Sequence, residues 1–187
     1  MMMVLFTLVL GLGYPLALTG IAGAVFPDQS TGSLVRDAKG QVIGSRLIAQ
    51  AFAKPEYLHP RPSAAGNGYD PTASSGSNLG PLEKKLIDQV KANADAVRKE
   101  DGAGAIPADA VTNSGSGLDP DISPAYAHLQ AARIAKARGR SVSEVLAMVD
   151  GATQGPLLGF IGQPRVNVFE VNRALDARYP VGQPKAT

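Results

Sequence analysis

Two short segments with the same pattern of serine, glycine, leucine and proline carry the residues best suited to binding. They are Ser75-Gly76-Ser77-Asn78-Leu79-Gly80-Pro81 and Ser114-Gly115-Ser116-Gly117-Leu118-Asp119-Pro120. Each precedes a stretch with helical periodicity. Small hydroxyls and free backbone N–H groups at a helix entrance can hold an anion or the carbonyl groups of a partner protein. The alternative is that both segments are capping loops without a ligand.

The sequence lacks the common catalytic and metal-binding patterns. It has no GxxxxGK[ST] phosphate-binding loop, and Gly115-Ser116-Gly117 does not fit the GxSxG pattern of a serine nucleophile. Neither His59 nor His128 has the sequence-adjacent carboxylate that would suggest a triad, so we interpret both as surface or packing residues. With 0 cysteines, thiol catalysis, disulfides and Cys-ligated zinc are excluded. We expect no catalytic site and no metal site.

The composition also limits which classes of partner the protein is expected to bind. The formal net charge is +2 and aromatic residues make up 5% of the chain. Nucleic-acid-binding proteins usually carry a basic patch and aromatic stacking platforms. We therefore expect no nucleic-acid partner.

The first 27 residues contain no charged side chain, and the first acidic residue is Asp28. Because a helix rises ~1.5 Å per residue, about 20 such residues span a hydrocarbon core of ~30 Å. We expect a transmembrane anchor helix over residues 1–27. A secretory signal peptide is the main alternative, since Ala22-Gly23-Ala24 resembles a cleavage site, but the apolar run exceeds the usual ~7–15 residues and no basic segment precedes it. A buried core helix would need a larger core than the remaining chain supplies.

Small residues recur at helical spacing in this anchor, at Gly13, Ala17, Gly20 and Ala24. They would let another helix approach closely, although glycine is common in membrane helices generally. The charges that flank the helix do not determine its orientation. Because positions 1–3 offer several possible starts, we expect the natural chain to begin upstream with basic residues.

The rest of the chain indicates a mixed architecture. Two β-prone runs around residues 37–40 predict a hairpin. Five prolines between residues 54 and 81 exclude a long helix or a central strand there, and we expect this loop to be ordered. The predicted helix starts are Pro81, Pro124 after the cap Ser123, Ser141 in a capping box with Glu144, and Asn167 with Glu170.

Further details complete the predicted elements. The apolar face of the helix from Pro81 comprises Leu82, Leu86, Ile87, Val90 and Val97. Gly139 and Gly151 are the predicted helix stops. The glycine-bounded apolar segment 155–164 is compatible with a short strand. Together these elements predict an α+β fold: a single transmembrane helix (1–27) followed by one soluble extracytoplasmic domain (28–187).

Segments distributed along the chain carry a likeness to one known family. They are Tyr14-Pro15-Leu16, Gly44-Ser45 through Gln50 with Phe52, Arg61-Pro62-Ser63-Ala64-Ala65, Ser75 to Gly80, Val111-Thr112 with Ser114 to Pro124, Arg133 to Arg138, and Ile161 to Val168 with Leu175-Asp176. In this order they resemble the C chain of the Kdp-type potassium-transporting ATPase over nearly the whole sequence. The basic residues that usually precede the family's helix are absent here.

The resemblance implies a non-catalytic accessory subunit of a high-affinity, ATP-driven potassium importer in the bacterial inner membrane. Its implied partners are a potassium-translocating subunit, a P-type ATP-hydrolysing subunit, a small single-helix subunit and the lipid bilayer. The family's C chain is described as a catalytic chaperone that raises the ATP affinity of the hydrolysing subunit, with its soluble domain on the periplasmic side. No covalently bound cofactor is implied, ATP belongs mainly to the partner subunit, and potassium is the transported ion.

A periplasmic domain cannot touch cytoplasmic ATP, so we place assembly and potassium entry above direct nucleotide contact. For nucleotide or partner binding the candidates are Ser75, Gly76, Ser77, Asn78 and, second, Gln163. For partner docking they are Gly13, Ala17, Arg61, Ser114, Gly115, Ser116 and Asp119. The competing interpretation is a stand-alone membrane-anchored extracytoplasmic binding module.

Overall fold

The computed structural model describes residues 1–181, so residues 182–187 of the predicted soluble domain lie outside the described part. Contacts divide the chain into two units, Met1–Leu47 and Ile48 onward. The first contains the apolar helix and a small hairpin, and the second contains helices with a short two-stranded ladder. The predicted α+β fold behind an N-terminal apolar helix is confirmed.

The N-terminal helix runs continuously over Met2–Val25. It comprises α1 (Met2–Leu8), a π-helical turn (Val9–Gly13) and α2 (Tyr14–Val25). The wide turn lies immediately before Pro15, whose nitrogen has no hydrogen to donate, and prolines commonly disturb a helix at this point. None of the residues of α1, the π turn or α2 is buried.

The predicted hairpin is confirmed in the rest of the first unit. After the short helix α3 (Pro27–Ser30), β1 (Leu34–Arg36) pairs antiparallel with β2 (Val42–Ser45). The Asp37 carboxylate closes the turn by accepting the N–H groups of Lys39 and Gln41, each at 2.9 Å. An aspartate at the start of a turn often makes such bonds.

In the described part of the second unit, four α-helices and a short ladder surround the core. The elements are α4 (Lys84–Asp101), a 3₁₀ turn (Ala108–Ala110), β3 (Asp121–Ile122), α5 (Pro124–Arg138), α6 (Val142–Ala152), β4 (Val166–Asn167) and α7 (Val168–Arg178). β3 pairs antiparallel with β4, with Ile122 opposite Val166. Ile134, Val145, Val149 and Leu175 are completely buried, so α5, α6 and α7 share one apolar core.

The predicted caps of α5, α6 and α7 are confirmed. Ser123 accepts the N–H of Tyr126 at 3.1 Å, Ser141 and Glu144 form a reciprocal capping box, and Asn167 accepts the N–H of Glu170 at 3.1 Å. Gly139 ends α5 in the left-handed conformation. The predicted stop at Gly151 is one residue early, because α6 ends at Ala152.

The predicted start at Pro81 is wrong. Pro81 and Leu82 occupy a turn closed by the Glu83 N–H, which donates to the Gly80 carbonyl at 3.0 Å, and the helix begins at Lys84. Proline suits the second position of such a turn as well as a helix start. The predicted apolar face of α4 is confirmed in part: Val97 is buried and Leu86 and Val90 are half-buried, whereas Leu82 and Ile87 are exposed.

Two buried side-chain amides hold the proline-rich loop against the helices. Asn172 of α7 accepts the Leu58 N–H at 2.7 Å and donates to the Leu58 carbonyl at 2.9 Å. Gln130 of α5 does the same for His59, at 2.7 and 3.1 Å. Each side-chain amide bonds one residue's N–H and carbonyl, as the backbone of a neighbouring strand would. Leu58 can therefore be completely buried in the core without unsatisfied backbone groups.

Two arginines of α5 hold the preceding carbonyl groups of the same loop. Arg133 donates to the Pro55 and Tyr57 carbonyls at 2.8 and 2.9 Å and pairs with the Asp101 carboxylate at 2.8 Å. The Asp101 side chain is only 2% exposed, so this ion pair is buried. Arg138 donates to the Glu56 and Tyr179 carbonyls, both at 2.8 Å. The basic end of α5 therefore binds the loop as well as complementing the helix dipole.

Replacing Asn172 should lower the free energy of unfolding substantially. Asn172→Leu keeps the volume but leaves the Leu58 N–H and carbonyl buried without partners, at an expected cost of about 2–4 kcal/mol. Chemical denaturation of the full chain in detergent, followed by circular dichroism, measures the loss. Arg173→Leu is the matched control, because the neighbouring side chain is exposed and should change stability by less than about 0.5 kcal/mol. Equal stability of both variants would contradict the role of Asn172.

Acid should destabilise the domain through His59. Burial lowers the pKa of His59 from its ordinary 6.5, and the Arg133 guanidinium lowers it further, against opposing effects of the Lys54 carbonyl, Glu100 and Asp101. Below about pH 6.5 the unfolded chain therefore binds a proton that the folded chain resists, and stability falls. The melting temperature of the native chain should fall more between about pH 7.5 and 5.5 than that of His59→Gln. If the melting temperatures of the two proteins fall equally with pH, His59 does not contribute to the acid destabilisation.

Candidate functional site

The two Ser-Gly-Ser segments lie against each other. The Ser75 N–H donates to the Ser116 carbonyl at 3.0 Å, and the Ser74 hydroxyl donates to the same oxygen at 2.9 Å. We call residues 75–80 and 114–119 the paired loops. Sequence reasoning treated them as two separate helix entrances, whereas the structure brings them together as one packed feature.

The glycines of the paired loops permit this close packing. A Cβ at Gly76 would lie 2.7 Å from the Gly115 carbonyl oxygen. Gly117 has a φ of +68°, and a Cβ there would lie 2.7 Å from both the Ala65 nitrogen and the Ser75 carbonyl oxygen. Only glycine accommodates such contacts without displacing backbone. Gly76 and Gly117 thus have a packing role that does not depend on a ligand.

A third segment, residues 61–65, completes the feature. The Ser63 hydroxyl donates to the Gly117 carbonyl at 2.7 Å and accepts the N–H groups of Ala65 and Tyr69 at 3.1 and 2.9 Å. The Tyr69 hydroxyl donates to the Arg61 carbonyl at 2.8 Å, and burial raises the pKa of Tyr69 to about 12, so it remains a donor at neutral pH. Sequence reasoning missed Ser63 and Tyr69 as joining residues, because a serine and a tyrosine in a loop have no distinctive spacing.

Arg61 and Asp119, both docking candidates, form an ion pair at 3.1 Å. Arg61 also donates to the Asn113 carbonyl at 3.2 Å, and Asp119 accepts the N–H of Asp121 at 3.1 Å. The ion pair therefore links the two ends of the second paired loop, residues 114–119. Ser114, the third candidate nearby, is almost fully buried, and its N–H donates to the Pro62 carbonyl at 3.2 Å.

The two candidate nucleotide-binding positions, the Ser75–Asn78 segment and Gln163, line different cavities. Gly76 and Ser77 line an open cavity of about 650 Å³ together with Lys85, Asp88 and Gln89. Gln163 lines another, of about 530 Å³. Its other lining residues include Arg61, Asp109, Asp119, Asp121 and Arg165. The structure therefore brings Gln163 to the Arg61–Asp119 pair and not to the Ser75–Asn78 segment.

Neither cavity is lined by the excess of positive charge that the phosphates of a nucleoside triphosphate require. The first is lined by Lys85 and by Asp88, whose carboxylate is ion-paired with Lys84. The second is lined by two arginines and three aspartates: Arg165 lies 3.2 Å from Asp121, Arg61 pairs with Asp119, and Asp109 adds a third carboxylate. Burial raises the pKa of Asp121, although the Asn167 hydrogen bond and Arg165 oppose this. Such linings suit contact with a polar protein surface better than contact with a polyanion.

The docking candidates of the N-terminal helix lie on its outer surface. Gly13 ends the π turn and Ala17 follows in α2, and both are exposed. A Cβ added at Gly13 would meet only the Leu8 carbonyl oxygen, at 3.7 Å, which is ordinary contact. Larger side chains at this surface would therefore not disturb the helix itself.

Alanine at Gly117 should destabilise the domain, whereas alanine at Gly115 should not. Gly117→Ala combines a left-handed backbone, costing roughly 1–2 kcal/mol, with two backbone clashes. A Cβ at Gly115 meets nothing within 4 Å and its φ is not positive, so Gly115→Ala is the matched control from the same motif. Thermal unfolding of the full chain distinguishes the two. Equal melting temperatures would contradict the packing role of Gly117.

Comparison with known proteins gives a consistent result. A family model described as the c chain of the K+-transporting ATPase (KdpC) matches residues 1–177. A potassium-transporting ATPase KdpC subunit of Caulobacter sp. (strain K31) is 69% identical over 176 residues, covering 94% of this chain and 90% of the relative. Those of Myxococcus xanthus and Koribacter versatilis (strain Ellin345) are 53% and 47% identical, covering 90% and 99% of this chain and 81% and 95% of the relatives.

The match extends from the apolar helix through the paired loops to α7. It thus includes every residue singled out above as a binding or docking candidate. The resemblance inferred from the sequence is confirmed, and this chain belongs to the KdpC family, the c chains of K+-transporting ATPases.

Proposed function

We propose that this chain is a non-catalytic accessory subunit that a potassium-importing ATPase needs for assembly and for coupling ATP hydrolysis to transport. The observation that carries the proposal is the combination of a fully exposed apolar helix with a domain whose motif residues bind one another. The helix provides a surface for partners within a membrane. The domain presents polar cavities whose linings carry no excess of positive charge.

The N-terminal helix has the properties of a membrane anchor. Its 24 residues include an uncharged stretch long enough to span a bilayer, and 0% of the candidate span is buried. At ~1.5 Å per residue it would extend over roughly 36 Å, more than the ~30 Å hydrocarbon core. A core helix would be covered by the rest of the chain, and this one is not. We place it as a single-pass anchor in the bacterial inner membrane, with the following domain on the periplasmic side.

Small residues on the anchor supply the proposed helix-docking surface. Gly13, Ala17, Gly20 and Ala24 recur at spacings of three and four residues, which places them on one side of the N-terminal helix, with Gly13 at the end of the π turn and the others in α2. In lipid, helices associate through close packing at such small residues. The proposed partners are the potassium-translocating subunit, the P-type ATP-hydrolysing subunit and the small single-helix subunit.

An effect on ATP affinity would be indirect in this arrangement. A domain outside the membrane has no access to cytoplasmic nucleotide, and one helix can only favour one conformation of the pump over another. The cavities beside Ser77 and Gln163, whose linings carry no excess of positive charge, support the same conclusion. We therefore propose that ATP binds the hydrolysing subunit and that this chain influences its affinity by stabilising one pump conformation.

Larger side chains on the proposed docking surface should disrupt the complex. Gly13→Leu with Ala17→Leu would hold a neighbouring helix away, so the co-purified subunits and potassium-stimulated ATPase should fall by about tenfold or more, equivalent to ~1.4 kcal/mol of association. An affinity tag on this chain and purification in mild detergent from potassium-starved cells provide both measurements.

Ala22→Leu is the matched control for this experiment, because it makes the same kind of change about 180° around the helix from Gly13. It should leave co-purification and ATPase activity unchanged. Normal assembly of the double variant would contradict the proposed docking surface. Recovery of the native chain as a lone monomer without ATPase activity would instead favour a stand-alone binding module.

A further inference from the structure

The loop between α6 and β4 projects four large apolar side chains into solvent. Its base is a two-residue bridge, in which Gln154 and Arg165 exchange backbone hydrogen bonds of 2.8 and 3.0 Å. A second bridge joins Leu157 to Ile161. The segment compatible with a short strand therefore forms a narrow, hairpin-like loop held by isolated bridges. We call residues 157–161 the apolar tip.

The apolar tip is unusually exposed for its composition. Leu157, Leu158 and Phe160 are 67%, 76% and 77% exposed, and Ile161 is 50% exposed. No charged residue occurs between Asp150 and Arg165. Scattered exposed apolar residues are ordinary, but several together on one projection indicate a surface that is covered in the working state.

Four of the five backbone N–H groups of the apolar tip are hydrogen-bonded inside the loop. The N–H groups of Leu157 and Ile161 donate to each other's carbonyls, both at 2.9 Å. The N–H groups of Gly159 and Phe160 donate to the Pro156 and Leu157 carbonyls at 3.1 and 3.3 Å. A loop that enters hydrocarbon must satisfy its donors internally, because lipid offers no replacement for water. These four donors meet that condition, whereas the Leu158 N–H, which has no backbone partner within the described residues, requires the hydrated interfacial region.

The base of the loop is firmly attached to the core. β4 begins at Val166, directly after the lower bridge, and Val166 is completely buried. On the other side, Val149 near the end of α6 is also completely buried. The tip is thus held on two ordered elements, so its exposure does not result from a loose chain end.

We propose that the apolar tip inserts into the interfacial region of the lipid bilayer and forms a second membrane contact beside the N-terminal helix. This inference rests on the proposed membrane anchoring, which keeps the domain within reach of a lipid surface. Leucine and phenylalanine side chains partition ~5–10 Å into the boundary between headgroups and acyl chains. With a net charge of +2, the chain is not repelled by anionic lipids.

Lipid fits these observations better than an apolar groove on a partner protein. A protein groove commonly forms main-chain hydrogen bonds with a docked loop. In this loop the N–H groups of Leu157, Gly159, Phe160 and Ile161 already donate to carbonyl groups of the loop itself. Protein interfaces also surround an apolar centre with a polar rim. Here the residues between Asp150 and Arg165 carry no charge, and the polar side chains among them are those of Thr153, Gln154 and Gln163.

The absence of cysteine allows a site-specific test on the full chain in its complex. Leu158→Cys introduces a single thiol for an environment-sensitive fluorophore, because the native sequence has 0 cysteines. The labelled complex is reconstituted into vesicles of phosphatidylethanolamine and phosphatidylglycerol that contain nitroxide-labelled lipids. Ala177→Cys, at an exposed position on α7, is the matched control.

Insertion predicts a blue-shifted emission at position 158 and lipid quenching at least about threefold stronger than at position 177. Adding Leu157→Ser and Phe160→Ser to the Leu158→Cys chain should abolish this difference. A probe at position 158 that remains unquenched, whether water-exposed or shielded by a partner subunit, overturns the inference. Flotation of the full chain with vesicles tests anchoring separately: a chain that floats with an unquenched tip refutes the tip alone, and a chain that does not float refutes both.

Discussion

The order of the soluble domain depends on how the backbone of its long proline-rich loop is hydrogen-bonded. Prolines prevent this segment from forming a helix or joining a sheet, so its polar backbone groups need other partners. Asn172 and Gln130 provide them for Leu58 and His59 with four hydrogen bonds of 2.7 to 3.1 Å. Arg133 and Arg138 do the same for the preceding carbonyls. Side chains of two helices thus replace the sheet that the loop cannot form.

This arrangement has consequences for the paired loops. Once Leu58 is fixed in the core, the chain continues directly into residues 61–65, where Ser63 and Arg61 contact the second loop. The first loop then packs on the second through Ser75 and Ser116. Residues that look available for a ligand in the sequence are therefore engaged with one another, and the two cavities beside them carry no excess of positive charge among their lining residues. These features favour a domain that docks on partners over one that binds nucleotide.

Much of the fold could be predicted because its signals are local. The apolar helix, the hairpin, and the caps at Ser123, Ser141 and Asn167 each depend on neighbouring residues, and all are present. The start of α4 was misplaced because proline fits both a turn and a helix, and only the Glu83 to Gly80 bond distinguishes them. Its apolar face was predicted only in part, since Leu86, Val90 and Val97 are half-buried or buried but Leu82 and Ile87 are exposed, and periodicity does not show how much of a face is covered.

The site was less predictable because its contacts join distant parts of the chain. The repeated motif is visible in the sequence, but the mutual packing of its two copies depends on contacts about forty residues apart, such as Ser75 with Ser116. The amide roles of Gln130 and Asn172 had no signal in a single sequence, since a buried amide in a helix has no characteristic spacing. The family resemblance supplied the subunit assignment, and the comparisons confirm it.

The most direct test of this account is backbone hydrogen exchange of the full chain in detergent, without partner subunits. If the domain is ordered by its own contacts, the amides of Leu58, His59 and Ser75 exchange slowly, at rates comparable to those of α5 and α7. If these amides exchange as fast as those of an unstructured peptide while the helices remain protected, the loop is ordered only on docking. That result would contradict the conclusion that buried amides and paired loops build the domain.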